Sequence, residues 1–97
     1  MATYITLVNY TQKGIETIKQ APDRVNAARQ RVRAAGGEFK AFYLTMGRYD
    51  AVVIVDAPSD EKVAASLLAS GAQGTIHTET LRAFTEDEFR KIVAAMP

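Results

Sequence analysis

The chain has 97 residues, 47% of them hydrophobic and 24% charged, which is typical of one globular domain spanning residues 1–97. The formal net charge of +1 argues against nucleic-acid binding, which usually needs a strongly basic face. The absence of cysteine excludes disulfides and cysteine-based catalysis or metal sites. No apolar run long enough for a membrane span and no signal-peptide pattern is present, so we expect a cytoplasmic protein.

The first half of the chain predicts a strand and a long helix. Residues 3–10 alternate so that Tyr4, Thr6, Val8 and Tyr10 share one strand face, opposite Ile5, Leu7 and Asn9. Thr11 can cap the helix, which restarts or kinks at Pro22 and ends at Gly36-Gly37. The helix's apolar stripe is expected to contain Ile15, Ile18, Val25, Ala28, Val32 and Ala35.

Four arginines cluster in this helical segment: Arg24, Arg29, Arg31 and Arg33. Because the whole chain is almost neutral, we interpret them as a solvated helix face rather than as a nucleic-acid site.

The middle of the chain predicts a β-hairpin. Residues 38–46 and 51–56 form strands around a short turn at Gly47. In the first of these strands we expect one face to carry Phe39, Ala41, Tyr43 and Thr45, and the other to carry Phe42 and Leu44. A second helix follows, capped by Ser59 and ending near Gly71, with Val63, Ala64, Leu67 and Leu68 as its buried stripe.

A fourth strand is expected over residues 75–84, followed by a terminal helix. Thr85 and Glu88 form a capping box, flanked by Phe84 and Phe89 at the positions of a hydrophobic staple. The apolar face of this helix comprises Phe89, Ile92, Val93 and Met96. The complete order, β-α-β-β-α-β plus a helix, predicts an α+β, ferredoxin-like fold: a four-stranded antiparallel sheet with two helices on one face.

The strand over residues 51–56 is apolar on both faces, although an antiparallel sheet with one solvated face normally alternates apolar and polar residues. Something must therefore cover the second face, either the terminal helix or another subunit. We expect a homo-oligomer, formed for example by two sheets that pack face to face.

Four segments in order resemble the GYD family of small bacterial proteins, which is named for a glycine, tyrosine and aspartate. Here the motif is Gly47, Tyr49 and Asp50, with Arg48 inserted. The similar segments are 4–14, 22–24, 42–61 and 75–89. The resemblance implies a ferredoxin-like, dimeric α/β-barrel type of fold and no particular reaction. Many relatives have arginine at the position of His77, so a role for His77 would be particular to this chain.

Two polar groups are candidate sites. Arg48 and Asp50 beside the Tyr49 hydroxyl could bind a small anion or carboxylate, or could simply shape the turn. His77 and Glu79 lie two residues apart on one strand face, so they could act as a catalytic pair or as part of a metal site. The alternative is an ordinary polar strand surface, and we expect neither a metal nor a cofactor.

Tyr4, Thr6, Tyr43 and Thr45 are expected to project from one sheet face, where they could line either a small-molecule pocket or a dimer interface.

The leading hypothesis is a homo-oligomeric protein that binds a small molecule or acts as an interaction module. A second hypothesis, by analogy with relatives of the fold, is a cofactor-independent monooxygenase or isomerase acting on a small aromatic or carboxylated compound. There His77 would be the base, and Tyr43 and Arg48 would orient the substrate. A third is a structural assembly subunit.

Overall fold

A computed structural model describes every residue from Met1 to Pro97 and contains four strands and four helices. The strands are β1 (Ala2–Tyr10), β2 (Glu38–Leu44), β3 (Ala51–Ala57) and β4 (Ile76–Ala83). The helices are α1 (Gln12–Glu16), α2 (Ala21–Ala34), α3 (Asp60–Ala72) and α4 (Glu86–Ala94), with a short 3₁₀ turn at Ile18–Gln20. None of these helices combines the length and the apolar character needed to cross a bilayer.

The strands form one antiparallel sheet in the order β2-β3-β1-β4. The two central strands are thus the first and third in sequence, as the ferredoxin-like order requires, and the predicted fold class is confirmed. Tyr4, Thr6 and Val8 of β1 are buried on the side that carries α2 and α3. Because side chains alternate along a strand, Ile5 and Leu7 point to the other side.

The predicted helical stripe is correct only from Val25 onward. Thr11 caps α1, its hydroxyl accepting from the Gly14 amide, but α1 ends after five residues and a 3₁₀ turn follows. This break changes the helical phase, so Ile15 and Ile18 are exposed instead of continuing the stripe. In α2, which has Pro22 in its first turn, Val25, Ala28, Val32 and Ala35 face the sheet.

A bulge in β2 overturns the predicted faces of that strand. Phe39 pairs with Val55, and the next paired residue, Ala41, pairs with Ile54. Lys40 is therefore the extra residue, and the alternation reverses on either side of it. Phe39 and Phe42 both face the helices, whereas Tyr43 lies on the opposite face from Phe39.

In α3, the Ser59 hydroxyl accepts from the Lys62 amide as predicted. Val63 and Leu67 face the sheet, but Ala64 and Leu68 are exposed. The helix continues one residue past Gly71, to Ala72, and the glycine with a positive φ angle in the segment after it is Gly74. The helix thus ends within one residue of the predicted position, although Gly71 itself has no positive φ angle.

The capping box at the start of α4 is confirmed. The Thr85 hydroxyl accepts from the Glu88 amide, and the Glu88 carboxylate accepts from the Thr85 amide. The helix has no buried residue. Its apolar side chains Phe89, Ile92 and Val93 are exposed, as is Met96 just beyond its end. The molecule is 51 Å long and only 18 Å thick. Within one chain, α4 therefore does not cover the second face of the sheet.

The capping box makes the start of α4 sensitive to acid. The hydrogen bond from the Thr85 amide, the main cause, holds the pKa of Glu88 below its usual value. Because folding lowers the pKa of Glu88, its ionised carboxylate stabilises the folded state fully above the pKa that Glu88 has in the unfolded chain. This stabilisation is lost as the pH falls through the pKa of Glu88 in the folded chain. We expect the first turn of α4 to fray below about pH 4, seen as loss of amide-exchange protection at Glu88. In the Glu88→Gln variant, the amide oxygen of glutamine can still accept from the Thr85 amide and does not titrate, so the first turn of α4 should fray less in acid than in the wild type. Equal fraying of the two proteins in acid would contradict this explanation.

Candidate functional site

The face of the sheet that carries no helix has an apolar centre. Two rows of paired residues cross this face from strand to strand. One row consists of Ile54, Ile5 and Leu81, and the other consists of Tyr43, Val52, Leu7 and Glu79. Tyr43 and Leu81 are exposed, and the central aliphatic side chains are half-buried. We call the apolar members of these rows the open face: Ile5, Leu7, Tyr43, Val52, Ile54 and Leu81.

A polar corner borders the open face at one end of the sheet, and it consists of Arg48, Tyr49, His77 and Glu79. Tyr49 comes from the loop before β3, and its hydroxyl donates to Glu79 Oε2 on β4 at 2.7 Å. Because β1 lies between β3 and β4, the tyrosine side chain crosses β1. The hydrogen bond to Glu79 raises the pKa of Tyr49, and Arg48 lies over its ring at 5.8 Å.

Asp50 and Thr45 shape the turn next to this corner. Asp50 Oδ2 accepts from the Tyr10 amide at 2.9 Å, and the Asp50 amide donates to the Val8 carbonyl. The Thr45 hydroxyl donates to the Tyr49 carbonyl at 2.6 Å. Arg48 and Asp50 form no ion pair, and the anion site expected at these residues stays a prediction. Within one chain, Asp50 and Thr45 have turn-forming roles.

Asp50→Ala should therefore destabilise the hairpin. The Tyr10 amide would lose its acceptor at a partly buried position, and an unsatisfied group of this kind costs about 1–3 kcal/mol. The free energy of unfolding from urea titration measures this loss. Asp50→Asn keeps a carbonyl oxygen as acceptor and should recover most of it. Equal losses in both variants would show that the acceptor is not the cause.

His77 is exposed on β4, where it pairs with Asn9. Glu79 is on the same strand face, but its carboxylate is taken up by Tyr49. Nowhere in the chain do three histidine or acidic side chains gather as metal ligands would. Tyr43 lies on β2 at the far edge of the sheet, three strands or about 14 Å away. One chain therefore does not bring His77 and Tyr43 together as a catalytic pair.

Thr6 lies on the helix-covered side of the sheet, buried, with its hydroxyl 2.9 Å from that of Thr80. Tyr4 is on the same side, where its hydroxyl donates to Asp60 and this hydrogen bond raises its pKa. The expectation that Tyr4, Thr6 and Tyr43 share one face was therefore wrong. The bulge at Lys40 is the reason, since it places Tyr43 in the row of Leu7 rather than that of Thr6.

Two adjoining cavities lie on the helix-covered side, between α2, α3 and the sheet, and they measure about 110 and about 80 Å³. They share wall residues from both layers, among them Val8, Ala28, Phe39 and Ser70. We call them together the crevice. It exists because the facing helix residues are small, notably Ala28, Ala35, Ser66 and Ser70.

Arg31 is the polar residue that sequence reasoning missed, because it was included in a solvated cluster. It is partly buried and donates to Ser70 Oγ on α3 at 2.5 Å, while only Arg33 of the four arginines is exposed. Arg29 instead lies over the Phe39 ring at 4.8 Å. The spacing in the sequence could have indicated this position. Arg31 is three residues after Ala28, so it lies next to the apolar stripe of α2 on the helix surface.

Comparison with known proteins gives a family match, and the similar proteins include two from Thermus thermophilus. The family model described as "GYD domain" matches residues 4–93. A Thermus thermophilus protein named "Glutamine synthetase and cystathionine beta-lyase binding protein" is 34% identical over 84 residues, 86% of this chain and 88% of the relative. The crystal structure of TTHA0845 from the same species aligns with a TM-score of 0.54 and 23% identity. That alignment covers 88% of this chain and 95% of the other, and supports the fold.

Proposed function

The chain belongs to the GYD domain family, and we propose that it is an interaction module that self-associates through its open face and binds a metabolic enzyme. The observation that carries the proposal is the uncovered apolar centre of the sheet, formed by the rows through Ile5 and Leu7. Large exposed apolar patches on soluble proteins typically mark interaction sites.

A second copy of the chain is the occupant that best fits the open face. The centre of this face carries no charge, so the same patch on two subunits is self-complementary about a two-fold axis. Two such sheets can pack face to face with their side chains interdigitated.

The terminal helix α4 would extend this interface. Four strands of about seven residues give the sheet a flat footprint of roughly 450 Å², whereas a stable interface usually buries about 800 Å² on each partner. The exposed stripe of α4, from Phe89 to Met96, supplies further apolar surface that nothing in its own chain covers. We therefore assign α4 to the same interface.

Binding to an enzyme is proposed from the relative's name, which states that the Thermus protein binds glutamine synthetase and cystathionine beta-lyase. The polar corner is the part of the surface that we assign to such a partner. Arg48 and His77 are exposed there, and polar groups at the rim of an apolar interface contribute to partner selection and association rate. The corner is part of an exposed surface, which suits a protein partner better than an enclosed small molecule.

Two measurements on the purified protein test the proposal. Sedimentation equilibrium should give a dimer or a larger assembly. Isothermal titration with purified glutamine synthetase and cystathionine beta-lyase from the same host should show saturable binding of at least one of them. Arg48→Gln should weaken that binding and make it less dependent on salt, because the exposed guanidinium is removed. A monomer that binds neither enzyme would overturn the proposal.

A further inference from the structure

The crevice between α2 and α3 is unusual for the interior of a domain. Protein interiors are packed to the density of organic crystals and contain few voids larger than a water molecule. Here only 9 of 97 residues are buried, and no large side chain is fully buried. The larger cavity, about 110 Å³, approaches the roughly 150 Å³ of an engineered cavity that admits benzene.

The walls of the crevice combine an apolar surface with positive charge only. Most of its lining is hydrophobic, including Val8, Phe39 and Val53 on the sheet. The charged residues that line it are Arg24, Arg31 and Lys62, and no aspartate or glutamate does so. None of the three forms a salt bridge within the chain. An apolar molecule that carries a negative charge complements such walls.

Arg31 identifies where the negative charge would bind. Its Nε is buried and has no hydrogen-bond partner, the one side-chain atom in the chain with this status. A terminal nitrogen of the same side chain is held by Ser70 Oγ, which fixes the guanidinium between α2 and α3. Buried donors are nearly always paired, and a carboxylate is the acceptor that best matches a guanidinium.

We propose that the crevice binds a small apolar carboxylate, with its carboxylate paired with the guanidinium of Arg31, which lines the smaller cavity, and its hydrocarbon part lying on Phe39 and Val53. This site is on the opposite side of the sheet from the open face. It therefore does not depend on the proposed self-association or on enzyme binding.

Titration of the isotope-labelled full chain, followed by nuclear magnetic resonance, tests the site. The probes are phenylacetate and hexanoate, each compared with its neutral counterpart, 2-phenylethanol or 1-hexanol. Both acids should bind saturably, shift the Arg31 Nε–H resonance, and perturb residues of α2, α3 and the helix-covered side of the sheet. This measurement needs no variant, so it stands even where a substitution impairs folding.

Matched variants distinguish the contribution of the Arg31 charge to ligand binding from the contribution of the crevice volume. Arg31→Gln should weaken both acids about ten-fold or more, as expected for a lost hydrogen bond to a charged group, and should leave the alcohols nearly unchanged. Arg33→Gln makes the same substitution at an exposed position of the same helix and should affect none of the probes. Ala28→Leu fills the crevice from a position that lines both cavities and should abolish binding of all four.

The proposal is overturned by any of three results. The first is that neither acid binds saturably to the wild-type protein. The second is that the perturbed residues lie on the open face instead of around the crevice. The third is that Arg31→Gln and Arg33→Gln affect the acids equally.

Discussion

Replacing Leu81 with glutamate is expected to leave the chain as folded monomers, because the proposed self-association would bury the new carboxylate. Leu81 lies on the edge strand β4 in the row with Ile5 and Ile54, and is 46% exposed in the single chain. In the monomer the new carboxylate would reach water. In an assembly that covers the open face it would be buried without a partner, which costs several kcal/mol. We expect the dissociation constant to rise about 100-fold or more.

Sedimentation equilibrium measures the change, and Leu68→Glu is the control. Leu68 lies on α3 in the helix layer, away from the open face, and is 75% exposed. The Leu68→Glu variant should therefore form the same assembly as the wild type. If Leu81→Glu forms the same assembly as the wild type, the interface is not on the open face. Circular dichroism should show equal folded content in all three proteins.

Gly14→Ala is expected to be the most destabilising small substitution in the chain. Gly14 is buried where α1 meets the segment before β4, and a Cβ atom built on it would lie 2.1 Å from the Thr75 carbonyl oxygen. That carbonyl accepts from the Thr11 amide at 3.0 Å, so it cannot move without loss of this bond. Overpacking against backbone costs about 3 kcal/mol, equivalent to a fall in Tm of roughly 10–20 °C.

Gly71→Ala provides the matched control. Gly71 lies inside α3, and a Cβ there would meet no atom within 4 Å. Because alanine is the better helix former, this variant should be more stable by about 0.5–1 kcal/mol. Calorimetry on both variants checks the pair. A small loss for Gly14→Ala would mean that α1 can move away from Thr75 at little cost.

The sequence predicted the elements that depend on local chemistry. The capping box of Thr85 and Glu88 and the Ser59 cap follow from hydrogen-bonding groups within a few residues of one another. The Pro22 restart follows from the fixed φ angle and missing N–H of proline, which suit the first turn of a helix. The two-sided apolar character of β3 could also be read directly, because strand alternation is a fixed two-residue period. The predicted fold class follows from the order of these elements.

Errors arose where one extra residue changed the phase of a periodic pattern. The bulge at Lys40 reversed the faces of β2 and separated Tyr43 from Thr6. The break after α1 exposed Ile15 and Ile18. The bulge has no distinctive local sequence, because it depends on how β2 fits β3. Pro22 predicts that the helix restarts, but not that the apolar stripe changes phase there.

The candidate site shows the same division between local and long-range information. The turn role of Asp50 was accessible from sequence, since short polar side chains in a turn commonly bind nearby backbone groups. Thr45 was expected on a sheet face, whereas its hydroxyl donates to the Tyr49 carbonyl in the turn. The bond between Tyr49 and Glu79 was not accessible from sequence, because it joins residues 30 positions apart across an intervening strand. Arg31 was likewise indistinguishable from its exposed neighbours until α3 was placed beside α2.

The amino-acid sequence alone predicts the order of strands and helices, the start of each main helix and the surplus of apolar side chains on the central strands. Which side chains share a face depends on strand register. The packing of distant segments leaves the second face of the sheet uncovered by α4 and opens a positively lined crevice beside small residues of two helices. This difference arises from the sequence separation over which the interactions act. Capping and alternation act within one or two turns of chain, whereas faces, cavities and uncovered surfaces depend on strand register and helix packing between distant segments.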